Sequence, residues 1–517
     1  MTEDGALSNM SSSLAKRFFY KLSTNLVGLA IGLVTQAIIP RGLGPKLYGD
    51  FNFLTEFFNK VIGFFEMGTS SYFFTKVSQR PNDTQLLGFY SVFIGFVSFV
   101  VILFVMVLHL AKVHTILWPG QELFFVYMAS IFAIFTWMSG LVTMMADAYA
   151  ITVPAEKIRI FQKIFGLVIL LFLYWLNQLN LTQFFLYNYI ILLIVICSMI
   201  YIIVKKGYLS RNSFFLLKSK ILSYGKDIFS YCHPLFIATL VWSTASILDR
   251  WWLQVFSGSE QQGFYGFALL TGMAYTLFAN AMQPLITREF AIHFIKKDYK
   301  QMALVFRRFV PLFYSIAAFF SCFVAIQAEK IIYIMGGDKF SEARLAVIVM
   351  AFFPIHQAYG QLSGSVLFAT DQTALLRNIT IVISLIGVLV TYILLAPEEK
   401  LGLHAGAAGL AVKTVFINFI GANIQLYYNA KLLRLKFWRY FGHQIVTVGC
   451  FLILAFCATS AVDSFMGFSN KHIVGFLMAG IIYTLISAGT VYIFPKVFGL
   501  TSDDMRYITE KIRKAVS

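Results

Sequence analysis

Fourteen apolar runs, each about as long as a bilayer is thick, divide the chain from end to end: 22–40, 51–74, 86–110, 122–146, 160–178, 182–204, 229–250, 264–287, 309–328, 345–369, 376–396, 405–428, 442–462 and 473–494. A helix crossing roughly 30 Å of hydrocarbon needs about 20 mostly apolar residues. The runs are too long for barrel strands and lack period-two alternation, so they read as helices. Only 13% of residues are charged and 59% are apolar, whereas a soluble chain carries about 25% charged residues. Such a chain cannot clothe a water-facing surface. The expected fold class is an all-α polytopic membrane protein with about 14 transmembrane helices.

The basic residues orient the runs. With the N-terminus in the cytoplasm, 29 of the 41 Lys and Arg fall in cytoplasmic segments and nine in the opposite loops, with Lys60, Lys163 and Lys413 left inside runs. Cytoplasmic loops attract this excess, and one span more or fewer would swap every later loop and blur the contrast. Both termini are therefore expected in the cytoplasm. The net charge of +17 then reads as topology signal and headgroup attraction, and nucleic acid is excluded as a partner.

A motif is written twice. GLGPKLYGDFNFL, Gly42 to Leu54, joins spans 1 and 2, and GSEQQGFYGFALL, Gly258 to Leu270, joins spans 7 and 8, so that Tyr48-Gly49 matches Tyr265-Gly266. Ala146-Asp147-Ala148 ends span 4, and Ala369-Thr370-Asp371 ends span 10. Six spans separate each pair, an even number, so the two halves enter the membrane in the same direction. The predicted organisation is an interfacial segment (1–21), a first lobe of spans 1–6 (22–204), a basic cytoplasmic linker (205–228), a second lobe of spans 7–12 (229–428), two further spans (429–494) and a basic cytoplasmic tail (495–517). Parallel repeats of this kind suit alternating access around a central cavity.

These residues also carry a family likeness. LGPKLYGDF after span 1, SILDRWWLQVFSGSEQQGFYGFALL around span 7, Gln283-Pro284 in span 8 and LGLHAGAAGLAVKTVF entering span 12 together resemble the polysaccharide-biosynthesis flippases. These form the O-antigen and capsule branch of the multidrug/oligosaccharidyl-lipid/polysaccharide (MOP) exporter superfamily. The resemblance implies a bacterial inner-membrane transporter that turns undecaprenyl-pyrophosphate-linked oligosaccharide from the inner to the outer leaflet. H+ or Na+ are then the candidate coupling ions, and the polymerase and glycosyltransferases of the same pathway the candidate protein partners. Two relatives within the superfamily are the alternatives. MATE-type exporters of small molecules often keep an acidic residue in span 1, and Leu22 to Pro40 has none; lipid II flippases gather arginines in the first lobe, whose spans here hold only Lys60 and Lys163. No enzyme, cofactor or metal is expected: there is no GxxxxGK[ST], no CxxC and no catalytic triad.

A carrier of a pyrophosphate-linked sugar needs a wet groove with cations for the phosphates and polar or aromatic groups for the sugar. Charges inside spans come first, because each is costly unless solvated or paired. Lys60 lies four residues after Glu56, so it is either half of a local ion pair or a groove cation. Lys413 has no acidic residue within four positions and is expected to face the cavity. Lys163 either snorkels at the cytoplasmic end of span 5 or lines the groove. Arg41 stands at the outer end of span 1, and Asn25 and Gln36 share one face of that span. Glu66, Asp147, Asp249, Arg250, Pro284 and Asp371 complete the set as gating or structural candidates with Glu56. Asp147 and Asp371 read as equivalent span ends, and Pro284 as a kink.

Overall fold

A backbone in hydrocarbon must satisfy its own N–H and C=O groups, which leaves helices as the form for long apolar runs. The structure is a computed structural model and describes residues 3–80, 83–209, 213, 218–273, 276–466 and 472–500. Among them are seventeen α-helices and no strand. They are α1 (Glu3–Glu66), α2 (Thr69–Gln79), α3 (Thr84–Leu110), α4 (His114–Leu117), α5 (Leu123–Ala148), α6 (Thr152–Trp175), α7 (Leu181–Lys205), α8 (Lys218–Met273) and α9 (Thr276–Ile295). There follow α10 (Tyr299–Ile326), α11 (Ala328–Met335), α12 (Arg344–Met350), α13 (Phe353–Ala369), α14 (Thr373–Leu395), α15 (Gly406–Leu432), α16 (Phe437–Met466) and α17 (His472–Ile493).

Ten stretches among the described residues are long and apolar enough to cross a membrane. The other four apolar runs lie in α1, α8 and α9. Outward-facing Phe96, Phe99, Leu389 and Leu485 are each more than 60% exposed, a surface that only lipid can cover. The chain is an all-α, multi-pass membrane protein.

The two matching motifs do not form loops, as the sequence suggests; they are single-residue breaks. Gly44 interrupts α1 at φ 72°, ψ 170°, and Gly258 interrupts α8 at φ 78°, ψ −176°. Side chains are nearly excluded from this backbone region, so both breaks need glycine. Each helix resumes at once, which leaves Arg41 as an exposed helical residue ahead of the break. Span 2 is also interrupted: α1 ends at Glu66, and Met67 (φ 44°) and Gly68 (φ 82°) separate it from α2.

The parallel between the two halves extends beyond the motifs. Asp83 caps α3 by accepting from Leu86 N–H at 3.4 Å, and Asp298 caps α10 by accepting from Gln301 N–H at 3.0 Å. The turn after α5 and the turn after α13 share a register. In the first, Ala150 (φ 57°) bonds back to Asp147 O and Ile151 to Ala146 O; in the second, Asp371 (φ 56°) bonds back to Phe368 O and Gln372 to Leu367 O. Asp371 therefore corresponds to Ala150. The expected equivalence of Asp147 with Asp371 is wrong by three residues, because turn conformation and not the letter Asp sets the register.

The chain forms two compact units, residues 1–260 and 261–517. The boundary falls two residues past Gly258, whereas the sequence places a linker at 205–228. The first limb of α8 (218–257) packs within the first unit. Tyr224 donates to both oxygens of Asp83 at 3.0 and 2.9 Å, Phe64 meets Phe236 with centroids 6.1 Å apart, and Trp251 Nε1 donates to Ile116 O at 2.8 Å. Burial and the Asp83 carboxylate push the Tyr224 hydroxyl well above its ordinary value, so it remains a donor at any working pH. Among the described residues the first unit has apolar clusters around Phe53, Phe58, Trp118 and Phe185 and around Phe73, Tyr90 and Met199. The second unit is built around Phe306, Tyr314, Tyr359 and Tyr483. There Tyr265, the counterpart of Tyr48, pairs with Thr414 at 3.0 Å.

Candidate functional site

Within the first unit, the second limb of α1 (45–66) and the first limb of α8 each bring two polar or aromatic groups to one place. Lys60 Nζ lies 3.0 Å from Glu56 Oε1, the spacing expected for residues one helical turn apart. The same ammonium sits 4.2 Å from the centroid of the Trp242 ring on α8, a cation–π arrangement. Arg250, also on α8 and only 7% exposed, acts electrostatically on Glu56 and on Tyr48. Two cations thus act on one carboxylate, while Trp242 remains half exposed beside it. The side chains of Lys60 and Glu56 are 18% and 37% exposed, so both are open to a ligand. Chemically the group offers a cation for a phosphate and an indole face edge for a sugar ring.

The other candidates are placed elsewhere. Lys163 on α6 donates to Thr24 O at 3.3 Å and lies across Gly28, where any side chain would collide with its ammonium. It therefore fastens α6 to the first limb of α1 (3–43). Near it, Arg159 pairs with the buried Glu156 at 3.1 Å. Lys413, 8% exposed, runs along Gly387 of α14 within the second unit. Glu66 Oε1 accepts from Ser70 N–H at 2.9 Å across the break in span 2 and so caps α2. Asp147 accepts from Thr152 Oγ1 at 3.1 Å at the start of α6. Asp371 is exposed, Gln36 and Asp249 are half-buried, and the backbones of Asn25 and Pro284 are helical with side chains outside the described residues. Trp242 is the member that sequence reasoning missed: it sits in an apolar run 182 residues from Lys60, and no local spacing points to it.

A protein-family model described as "Polysaccharide biosynthesis protein" matches residues 14–287, more than half of the chain. The chain belongs to that family. Among solved structures, the chain is similar to the lipid II flippase MurJ in an inward-closed conformation. The two are 12% identical at a TM-score of 0.65, with 92% of this chain and 99% of that one covered. It is also similar to an inward-facing multidrug-resistance MATE transporter of the MOP superfamily, 13% identical at a TM-score of 0.58, covering 80% of this chain and 94% of that one. At these identities the likeness establishes a shared fold. No curated protein sequence matches the chain.

Proposed function

We propose that this polysaccharide biosynthesis protein is a flippase for undecaprenyl-pyrophosphate-linked oligosaccharide, an O-antigen, capsule or exopolysaccharide repeat unit, in the bacterial cytoplasmic membrane. Both termini face the cytoplasm in this reading, and two six-helix lobes alternate access to a groove between leaflets, coupled to H+ or Na+. The observation that carries it is the Lys60 ammonium on Trp242 beside Glu56 and Arg250. A cation answers the pyrophosphate, and the half-exposed indole answers the apolar face of a pyranose. Family membership supports the glycan class. The lipid tail stays in the bilayer while the polar head follows the groove.

Deleting the gene is expected to trap lipid-linked repeat units on the cytoplasmic leaflet and to strip the cell of its surface polymer. The measurement is accessibility of the lipid-linked glycan to an enzyme or lectin outside spheroplasts. Normal surface polymer in the deletant would sink the proposal. The likeness in fold to MurJ favours lipid II as the second reading, and rescue of a strain depleted of its lipid II flippase would establish that cargo instead.

A further inference from the structure

Asp50 follows Tyr48-Gly49 on the second limb of α1, is 9% exposed, and stands in a closed set of polar side chains. Gln121, in the loop between α4 and α5, donates from Nε2 to Asp50 Oδ1 at 2.6 Å and to Ser259 Oγ at 3.2 Å. Gln254 donates from Nε2 to the same Ser259 Oγ at 3.0 Å and to Pro119 O at 3.1 Å. Ser259 Oγ accepts from both amides, and Gln121 Nε2 bridges it to the Asp50 carboxylate. One carboxylate thereby ties Gln254 and Ser259, which flank the Gly258 break, to α1 and to the α4–α5 loop. The tie is uneven, since Gln254 Oε1 is buried without a hydrogen-bond partner.

The second copy of the repeat shows that packing alone does not call for this charge. There Tyr265-Gly266 is followed by Phe267, fully buried and packed on Phe340 with centroids 4.8 Å apart. The loops concerned even share a left-handed glycine, Gly120 (φ 73°) and Gly337 (φ 70°). An apolar contact serves this position in one copy. In the other a carboxylate is buried at a desolvation cost that shape does not require.

We propose that Asp50 is a proton-binding site whose ionised form closes a clasp on the Gly258 break of α8 and whose protonation opens it. The ionised carboxylate receives a charge-assisted bond from Gln121 Nε2, roughly twice as strong as a neutral one, and the same nitrogen reaches Ser259 Oγ. A proton removes that charge and converts one oxygen from acceptor to donor, so Gln121 loses the charge that fixes it beside Ser259. Lys46, on the same limb, favours the ionised form, and Glu122, at the head of α5, opposes it; α8 contributes the neutral Gln254 and Ser259. Once released, the backbone at Gly258 is free to leave its left-handed conformation. The use of such a clasp in transport rests on the flippase reading, but the clasp is testable without transport.

The experiment is hydrogen–deuterium exchange of the full-length protein in lipid nanodiscs. Exchange of residues 252–262 is followed from about pH 8 to about pH 5 and corrected for intrinsic exchange. The wild type is expected to open about tenfold more readily at the acid end, the loss of one charge-assisted bond. Asp50→Asn, nearly isosteric, is expected to exchange fast at both ends with no pH dependence. The double variant Asp50→Phe/Gln121→Phe imports the apolar contact of the second copy and is expected to exchange slowly at both. A flat wild-type profile, or wild-type protection and pH dependence in Asp50→Asn, overturns the clasp. Because Lys60 lies outside it, loss of surface polymer in Lys60→Ala with flat wild-type exchange would remove the clasp and leave the flippase reading standing. Altered exchange with normal polymer in the deletant would do the reverse.

Discussion

Gly44 and Gly258 hold nearly the same backbone angles, but their neighbours enforce those angles differently. After Gly44 comes Pro45, which has no N–H to leave unbonded and disfavours helical backbone in the residue before it. The first break is thus written into the chain. After Gly258 comes Ser259, an ordinary residue held by the Gln121 and Gln254 side chains. The second break depends on contacts that a proton or a substitution can remove. The two breaks share a shape and differ in the means of keeping it, one permanent and one releasable.

The largest test of that contrast is Gly→Val at each break. Either substitution forces a side chain into a region reserved for glycine, at about 1–3 kcal/mol. Gly44→Val is expected to lose more in thermal unfolding, because Pro45 denies it a straight helix, while α8 can straighten in Gly258→Val. Equal losses would erase the distinction drawn here. Next comes the comparison of lysines between the units. Lys60→Ala is expected to lower flipping on the order of tenfold with stability changed by less than about 1 kcal/mol, since a part-exposed pair contributes little to folding. Lys60→Arg keeps most of the activity, and Lys413→Met loses less than Lys60→Ala. Equal loss of surface polymer from the Lys60 and Lys413 variants would extend the binding site to the second unit.

The helix caps give a smaller effect. Asp83→Ala and Asp298→Ala are each expected to cost about 1 kcal/mol in denaturation. Asp83→Ala costs the more of the two, because Tyr224 loses its acceptor as well. The smallest effect has the opposite sign. Ala150→Gly and Asp371→Gly relieve matched left-handed residues and are expected to stabilise by under about 1 kcal/mol each, in a Tm comparison. Opposite signs at the two sites would show that the turns are not the pair their backbone suggests.

Parts of the site were legible before any fold was known. Glu56 and Lys60 meet because four residues are one helical turn, a purely local rule. The recurrence of Tyr-Gly after an apolar run likewise located both breaks, although it suggested loops where a single glycine suffices. The register of Asp147 and Asp371 was misread because a shared letter near a span end carries less information than the left-handed residue that ends the helix. Trp242 and Asp50 carried no signal at all. Each acquires its meaning from partners on other helices, and a lone Trp or Asp beside an apolar run is common.

The sequence by itself determined that this chain crosses a bilayer as helices, because apolar runs of that length leave the backbone no other way to satisfy its hydrogen bonds. It also determined the break at Gly44, because Pro45 follows a glycine that tolerates the angles required. The tertiary structure alone decided that Lys60 would rest on Trp242, that Lys163 would fasten α6 to α1, and that Gln121 would bridge Asp50 and Ser259. Those meetings depend on how helices far apart in the chain pack side by side, and local spacing contains no record of that.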